Sequence, residues 1–112
     1  MNLQKRIIED LITWIDQNLD RKICLEEIAH RVGYSRWHLH RVFKAYTRQN
    51  LGSYIRNRRL EAAKKDLIAK NEPILDVCVK YGFESQQEFT RAFSRRYSMP
   101  PGAYRKQFRL SA

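Results

Sequence analysis

The chain contains a second copy of part of itself. Ile28-Ala-His-Arg-Val-Gly33 aligns with Val77-Cys-Val-Lys-Tyr-Gly82 at an offset of 49 residues. After one inserted residue the offset becomes 50: Ser35 meets Ser85, Leu39 meets Phe89, Arg41 meets Arg91 and Phe43 meets Phe93. The correspondence continues through Gly52 and Gly102, Tyr54 and Tyr104, and Arg59-Leu60 and Arg109-Leu110. A solenoid needs at least three stacked repeats to bury a continuous core. A period of about fifty seen only twice is therefore one small unit duplicated, and the fold must consist of two related halves.

Punctuation along the chain makes those halves helical, and no segment reads as strand. Leu3, Ile7, Ile8, Leu11, Ile12, Trp14 and Ile15 form a broad apolar face on a first helix from Leu3 to Asn18, and they are expected in the core. A second helix spans Leu25 to Val32 and stops at Gly33, a natural residue for a left-handed cap. A third starts after the N-cap Ser35 and runs to Tyr46. A long fourth helix covers Leu51 to Ala69. Pro73 suits the first turn of a fifth helix that ends at Tyr81. Ser85-Gln-Gln-Glu88 has capping-box form and opens a sixth, running to Tyr97. Pro100-Pro101 starts a short seventh ending near Gln107. The expectation is an all-α fold of about seven helices, with a first helix-turn-helix subdomain over 1–50, a linker helix over 51–70 and a second subdomain over 71–112.

Charge narrows the function. The net charge of +10 on 112 residues, with a pI near 10.0, calls for a polyanionic partner, either nucleic acid or an anionic membrane surface. The charge comes in blocks: residues 36–65 carry nine Lys/Arg against one acid, Glu61, and residues 91–112 carry six against none. A membrane-surface helix would leave a large apolar face exposed, whereas these apolar faces are committed to a shared core. No span approaches the ~20 apolar residues that cross a bilayer. No signal-peptide pattern opens the chain. Cys24 and Cys78 sit among apolar residues at no zinc or redox spacing and read as buried thiols, consistent with a reducing, cytoplasmic setting. His38 and His40 lack the i,i+4 spacing that brings metal ligands together, and His30 reads as an ordinary surface or helix-end residue. No catalytic set, phosphate loop or cofactor motif is present, so an enzyme is not expected.

Each half is a short helix, a glycine turn and a second helix, the helix-turn-helix arrangement in which the second helix enters the DNA major groove. On the third helix Leu39, Val42, Phe43 and Tyr46 share one face. Trp37, Arg41 and Lys44 lie opposite, with His40 at the edge. On the sixth, Phe89, Ala92 and Phe93 turn inward and Gln87, Arg91 and Ser94 outward, with Thr90 at the edge. Arginine can grip guanine and glutamine adenine bidentately, while Thr or Trp can pack on a thymine methyl. Two unlike outer faces in one chain imply an asymmetric DNA site read without a dimer; if the fourth helix spaces the readers rigidly, they should enter successive major-groove segments about one turn, ~34 Å, apart. Arg36, Lys44, Arg56, Arg58, Arg59, Ser94 and Arg95 are weaker candidates for phosphate or backbone contacts.

The segments GYSRWHLHRVFK, LGSYIRNRRL and PILDVCVKYGFESQQEFTRAFSRRYSMPPGAYRK resemble the DNA-binding domain of the AraC/XylS family, most closely its small MarA/SoxS/Rob/RamA-type activators. The likeness covers about residues 7–107. It implies a monomeric, all-helical activator that binds asymmetric promoter elements, recruits RNA polymerase and controls stress or multidrug-resistance genes. By motif, Trp37, Arg41, Gln86, Gln87, Thr90 and Arg91 match base-reading positions. His40 stands where close relatives often carry Gln, and Glu88 where many carry a small polar residue. Many relatives carry a further effector or dimerisation domain; a chain of this length has no room for one, so the expected control is through protein abundance unless a partner supplies it.

Blander readings stand beside these. Trp37 can cover a neighbouring helix. Glu88 can be a cap instead of a base reader, and Gln86 can cap or touch phosphate. The run from Arg56 to Arg59 can be a solvated helix face, a phosphate clamp or a polymerase-facing surface. A non-specific architectural DNA binder would account for the charge, but not for two unlike recognition faces.

Overall fold

The computed structural model describes residues 2–109, so Leu110, the last position of the repeat, lies outside the described residues. Among the described residues there are seven helices and no strand. They are α1 (Leu3–Gln17), α2 (Leu25–Arg31), α3 (Arg36–Thr47), α4 (Leu51–Ala69), α5 (Ile74–Lys80), α6 (Gln86–Tyr97) and α7 (Pro101–Phe108). The chain divides into two compact units, one running to Asn57 and the other beginning at Arg58. The boundary falls within α4, which shows no single apolar stripe. Leu51 and Ile55 are buried in the first unit and Leu60, Ala63 and Leu67 in the second.

In the first unit α1 and α2 both pack on α3. Asn2 caps α1, its Oδ1 accepting from Gln4 N at 2.9 Å. The buried stripe of α1 is Ile8, Leu11 and Ile15. Leu3, expected in the core, is instead 71% exposed. At 100° per residue it lies about 140° round the helix from Ile8, off that stripe. Tyr46, expected on the inner face of α3, reaches the edge and is 37% exposed, where its hydroxyl accepts from the Asn2 side chain. In the second unit α5 and α7 pack on α6. Pro73 is the N-cap of α5 and not its first helical residue.

The repeat survives down to single hydrogen bonds. α2 ends with Tyr34 N donating to Ala29 O and Gly33 N to His30 O; α5 ends with Phe83 N donating to Cys78 O and Gly82 N to Val79 O. This pair of bonds is the Schellman closure, which needs a left-handed residue. Gly33 and Gly82 supply it at φ +78° and +76°. α3 and α6 stop alike, at Arg48 and Ser98 in the left-handed region (φ 60° and 63°). The aromatic contacts repeat too: Phe43 meets Tyr54 and Phe93 meets Tyr104, each pair with ring centroids 5.5 Å apart. Fully burying Phe43, Phe89 and Phe93 contributes about 1.5–3 kcal/mol apiece before entropy is counted.

Candidate nucleic-acid interface

The glycine turn sets the angle at which α3 leaves α2, and Ser35 fixes where it starts: its Oγ accepts from His38 N at 3.1 Å. Leu39, Val42 and Phe43 are buried, and helical geometry turns the opposite side outward. Arg36, Trp37, Arg41 and Lys44 are exposed there, and His40 is half-buried at the edge. Trp37 is 68% exposed, so it covers no neighbouring helix. It carries the Arg41 guanidinium instead, whose carbon lies 5.3 Å from the ring centroid. The sequence of α3 contains no acid.

α6 is built the same way. Ser85 Oγ accepts from Glu88 N at 3.0 Å, and the Glu88 carboxylate reaches back to accept from Glu84 N at 3.2 Å. That is a capping box displaced by one residue, with the carboxylate engaged at the positive end of the helix. Phe89, Ala92 and Phe93 are buried. Gln86, Gln87, Arg91 and Arg95 are exposed, and Thr90 and Ser94 are half-buried beside them.

The outlying cations divide. Arg56 is exposed. Arg58 pairs with Glu61 at 2.8 Å, and Arg59 is half-buried with its guanidinium beside Gly82, where burial lowers its pKa. Arg36 lies 3.6 Å from Glu26, but both side chains are largely exposed and such a pair contributes little. Glu26 and Glu61, counterions to predicted phosphate contacts, carried no signal in the sequence. Glu61 also binds Arg96 from α6 at 2.9 Å. Arg105 of the PPGAYR segment serves structure: its Nε donates to Leu67 O in the last turn of α4 at 2.9 Å.

Two glycine-turned helix pairs, each presenting one polar and basic helix face, define a double helix-turn-helix protein. A family described as a helix-turn-helix domain matches residues 28–107. The chain is 44% identical over 109 residues to transcriptional regulator Rob of Salmonella typhimurium, covering 97% of this chain and 38% of Rob. It is 45% identical over 98 residues to multiple antibiotic resistance protein MarA of Escherichia coli K12, covering 88% of this chain and 77% of MarA. The solved DNA-binding domain of the global transcriptional factor AdpA, in complex with a target DNA, shares the fold at a TM-score of 0.83. That match has 23% identity and covers 90% of this chain and 91% of the AdpA chain. The chain belongs to the AraC-type helix-turn-helix family of DNA-binding transcription regulators, in its MarA/SoxS/Rob subgroup.

Proposed function

We propose that the chain activates transcription by binding an asymmetric promoter site as a monomer, α3 and α6 reading separate major-groove segments, and by recruiting RNA polymerase. The observation that carries this reading is the dissimilarity of the two outer faces. Trp37, His40, Arg41 and Lys44 occupy the α3 face, where the repeat puts Gln87, Thr90, Arg91 and Ser94 on α6. A symmetric dimer site needs two equal readers, whereas two unequal readers on one chain specify a directional site. Trp37, His40, Arg41, Gln86, Gln87, Thr90 and Arg91 are assigned to bases, and Arg36, Lys44, Arg56, Ser94 and Arg95 to the backbone. Arg58 and Arg59 take secondary parts, since one is ion-paired and the other half-buried.

The first unit carries a small apolar groove on α1 and α2, off the α3 outer face. It has a volume of about 300 Å³ and is lined by Ile7, Leu11, Trp14, Ile28 and Val32 with Asp10 and Arg31. The name of MarA supports antibiotic-resistance genes as targets. No helix among the described residues is long and apolar enough to cross a membrane.

Selection of bound sequences from a random DNA pool tests the reading. The expected product is a non-palindromic site with two conserved blocks about one helical turn apart, bound by one protein per duplex in sedimentation. A palindromic consensus bound by two copies refutes it. A purified transcription assay on a promoter carrying the selected site should then show activation that depends on the protein, and no activation would refute the recruitment of RNA polymerase.

A further inference from the structure

We infer that Trp37, beyond the base contact assigned to it, positions Arg41, so that the first reader is pre-organised while the second is not. The inference rests on the assignment of α3 and α6 to DNA. Trp37 and Arg41 are four residues apart on one helix face, and the Arg41 guanidinium carbon sits 5.3 Å from the centroid of the Trp37 ring. At i,i+4 the two side chains lie one above the other. The indole is the strongest cation–π acceptor among the aromatic side chains, and the Arg41 guanidinium lies over its face. Trp37 is 68% exposed, so the core gains little by holding an indole there, and the stack is the contact the structure shows for it.

In the repeat, Trp37 is replaced by Gln87 and Arg41 is retained as Arg91. Arg91 therefore has no ring at i−4. The difference has a consequence for recognition. A free arginine facing a wrong base can swing to a phosphate and keep much of its interaction energy. One stacked on an indole loses the rotamers that reach the phosphate, so a mismatch leaves its donors unpaired, and unpaired donors are what discrimination is made of. The base read by Arg41 should be specified stringently and the base read by Arg91 tolerantly.

The free protein gives the first test. Ring currents from Trp37 should displace the Arg41 side-chain NMR resonances upfield, and Trp37→Leu should return them to ordinary values. Affinities for the pool-selected site then give a double-mutant cycle with Trp37→Leu and Arg41→Ala. A coupling of about two- to fivefold is expected, the size of an exposed cation–π contact, with Trp37→Tyr recovering part of it. Substituting the base pair under Arg41 should cost more affinity than substituting the one under Arg91, and Trp37→Leu should narrow that gap. Unshifted Arg41 resonances, losses that multiply without coupling, or equal penalties at the two bases would overturn the positioning role while leaving the DNA assignment standing. An Arg41→Ala variant that binds the selected site as tightly as the parent would overturn both.

Discussion

Asp66 of α4 is the hub of the second unit, and replacing it with Asn should destabilise the protein in a pH-dependent way. Its Oδ2 accepts from Lys80 Nζ at 2.8 Å and from the Tyr81 hydroxyl at 2.6 Å, and Lys70 lies 4.0 Å from its other oxygen. Burial alone would raise the Asp66 pKa, but the hydrogen bonds from Lys80 and Tyr81 and the Lys80 charge hold it below its ordinary value. The Asp66 hydrogen bond, chiefly, raises Lys80, while burial and then the Asp66 hydrogen bond push Tyr81 up to about 12. Asn keeps the shape and one acceptor but loses the charge. A hydrogen bond to a charged partner contributes roughly 1.5–3 kcal/mol net. With side-chain exposures of 14% for Asp66 and 27% for Lys80, little of that is lost to solvent, so the cost should be about 2 kcal/mol, or roughly 8 °C in Tm.

The pH dependence follows from the directions of the shifts. A depressed Asp66 contributes fully above the unfolded carboxylate value of ~3.9 and loses its contribution as pH falls through the lower folded value. Raised Lys80 and Tyr81 contribute fully below ~10 and fade as pH rises through their folded values. Urea unfolding of the parent and of Asp66→Asn at a series of pH values should show a constant gap between about pH 5 and 9 that closes in strong acid. A gap that persists unchanged at pH 2, or none at pH 7, would refute the reasoning.

Other consequences are equally direct. Gly33→Ala and Gly82→Ala should each cost about 1–2 kcal/mol by thermal melting, the strain of a left-handed L-residue. Neither added Cβ is blocked: nothing lies within 4 Å of the first, and only the Arg59 guanidinium approaches the second, at 3.5 Å. Arg48→Gly and Ser98→Gly should instead stabilise by about 0.5–1 kcal/mol, because they release the same strain. Arg41→Ala and Arg91→Ala should each cost about 1–3 kcal/mol of specific affinity and relax preference at different bases, read by competition against single-base variants of the site. Removing exposed Arg56 should reduce the salt slope of DNA binding by about one. Arg58→Ala should reduce it less, because Glu61 already neutralises that cation.

The outer faces of α3 and α6 were legible in the sequence because helix periodicity and the caps Ser35 and Ser85 act within four residues. An inner Leu39 or Phe89 forces the opposite side to solvent in any helix packed on one face. Leu3 was misread because an apolar residue at a helix end need not fall on the buried stripe. The capping role of Glu88 was already favoured over base reading by Ser85 three residues before it. The Glu88 bond to Glu84 N shows the cap.

By itself, the repeated sequence determined that there are two glycine-turned helix pairs, where each helix begins and ends to within about two residues, and which side chains each second helix turns outward. These depend on backbone sterics and on hydrogen bonds a few residues long. Only the tertiary structure decided which cations are already engaged. Arg96 meets Glu61 across 35 residues and Lys80 meets Asp66 across 14. It also decided that Arg105 closes the end of α4, and that Trp37 lies open with Arg41 stacked upon it. Pairs between helices depend on where separate elements bring their tips, which no local pattern records, and the i,i+4 spacing of Trp37 and Arg41 permits a stack that only the rotamers decide.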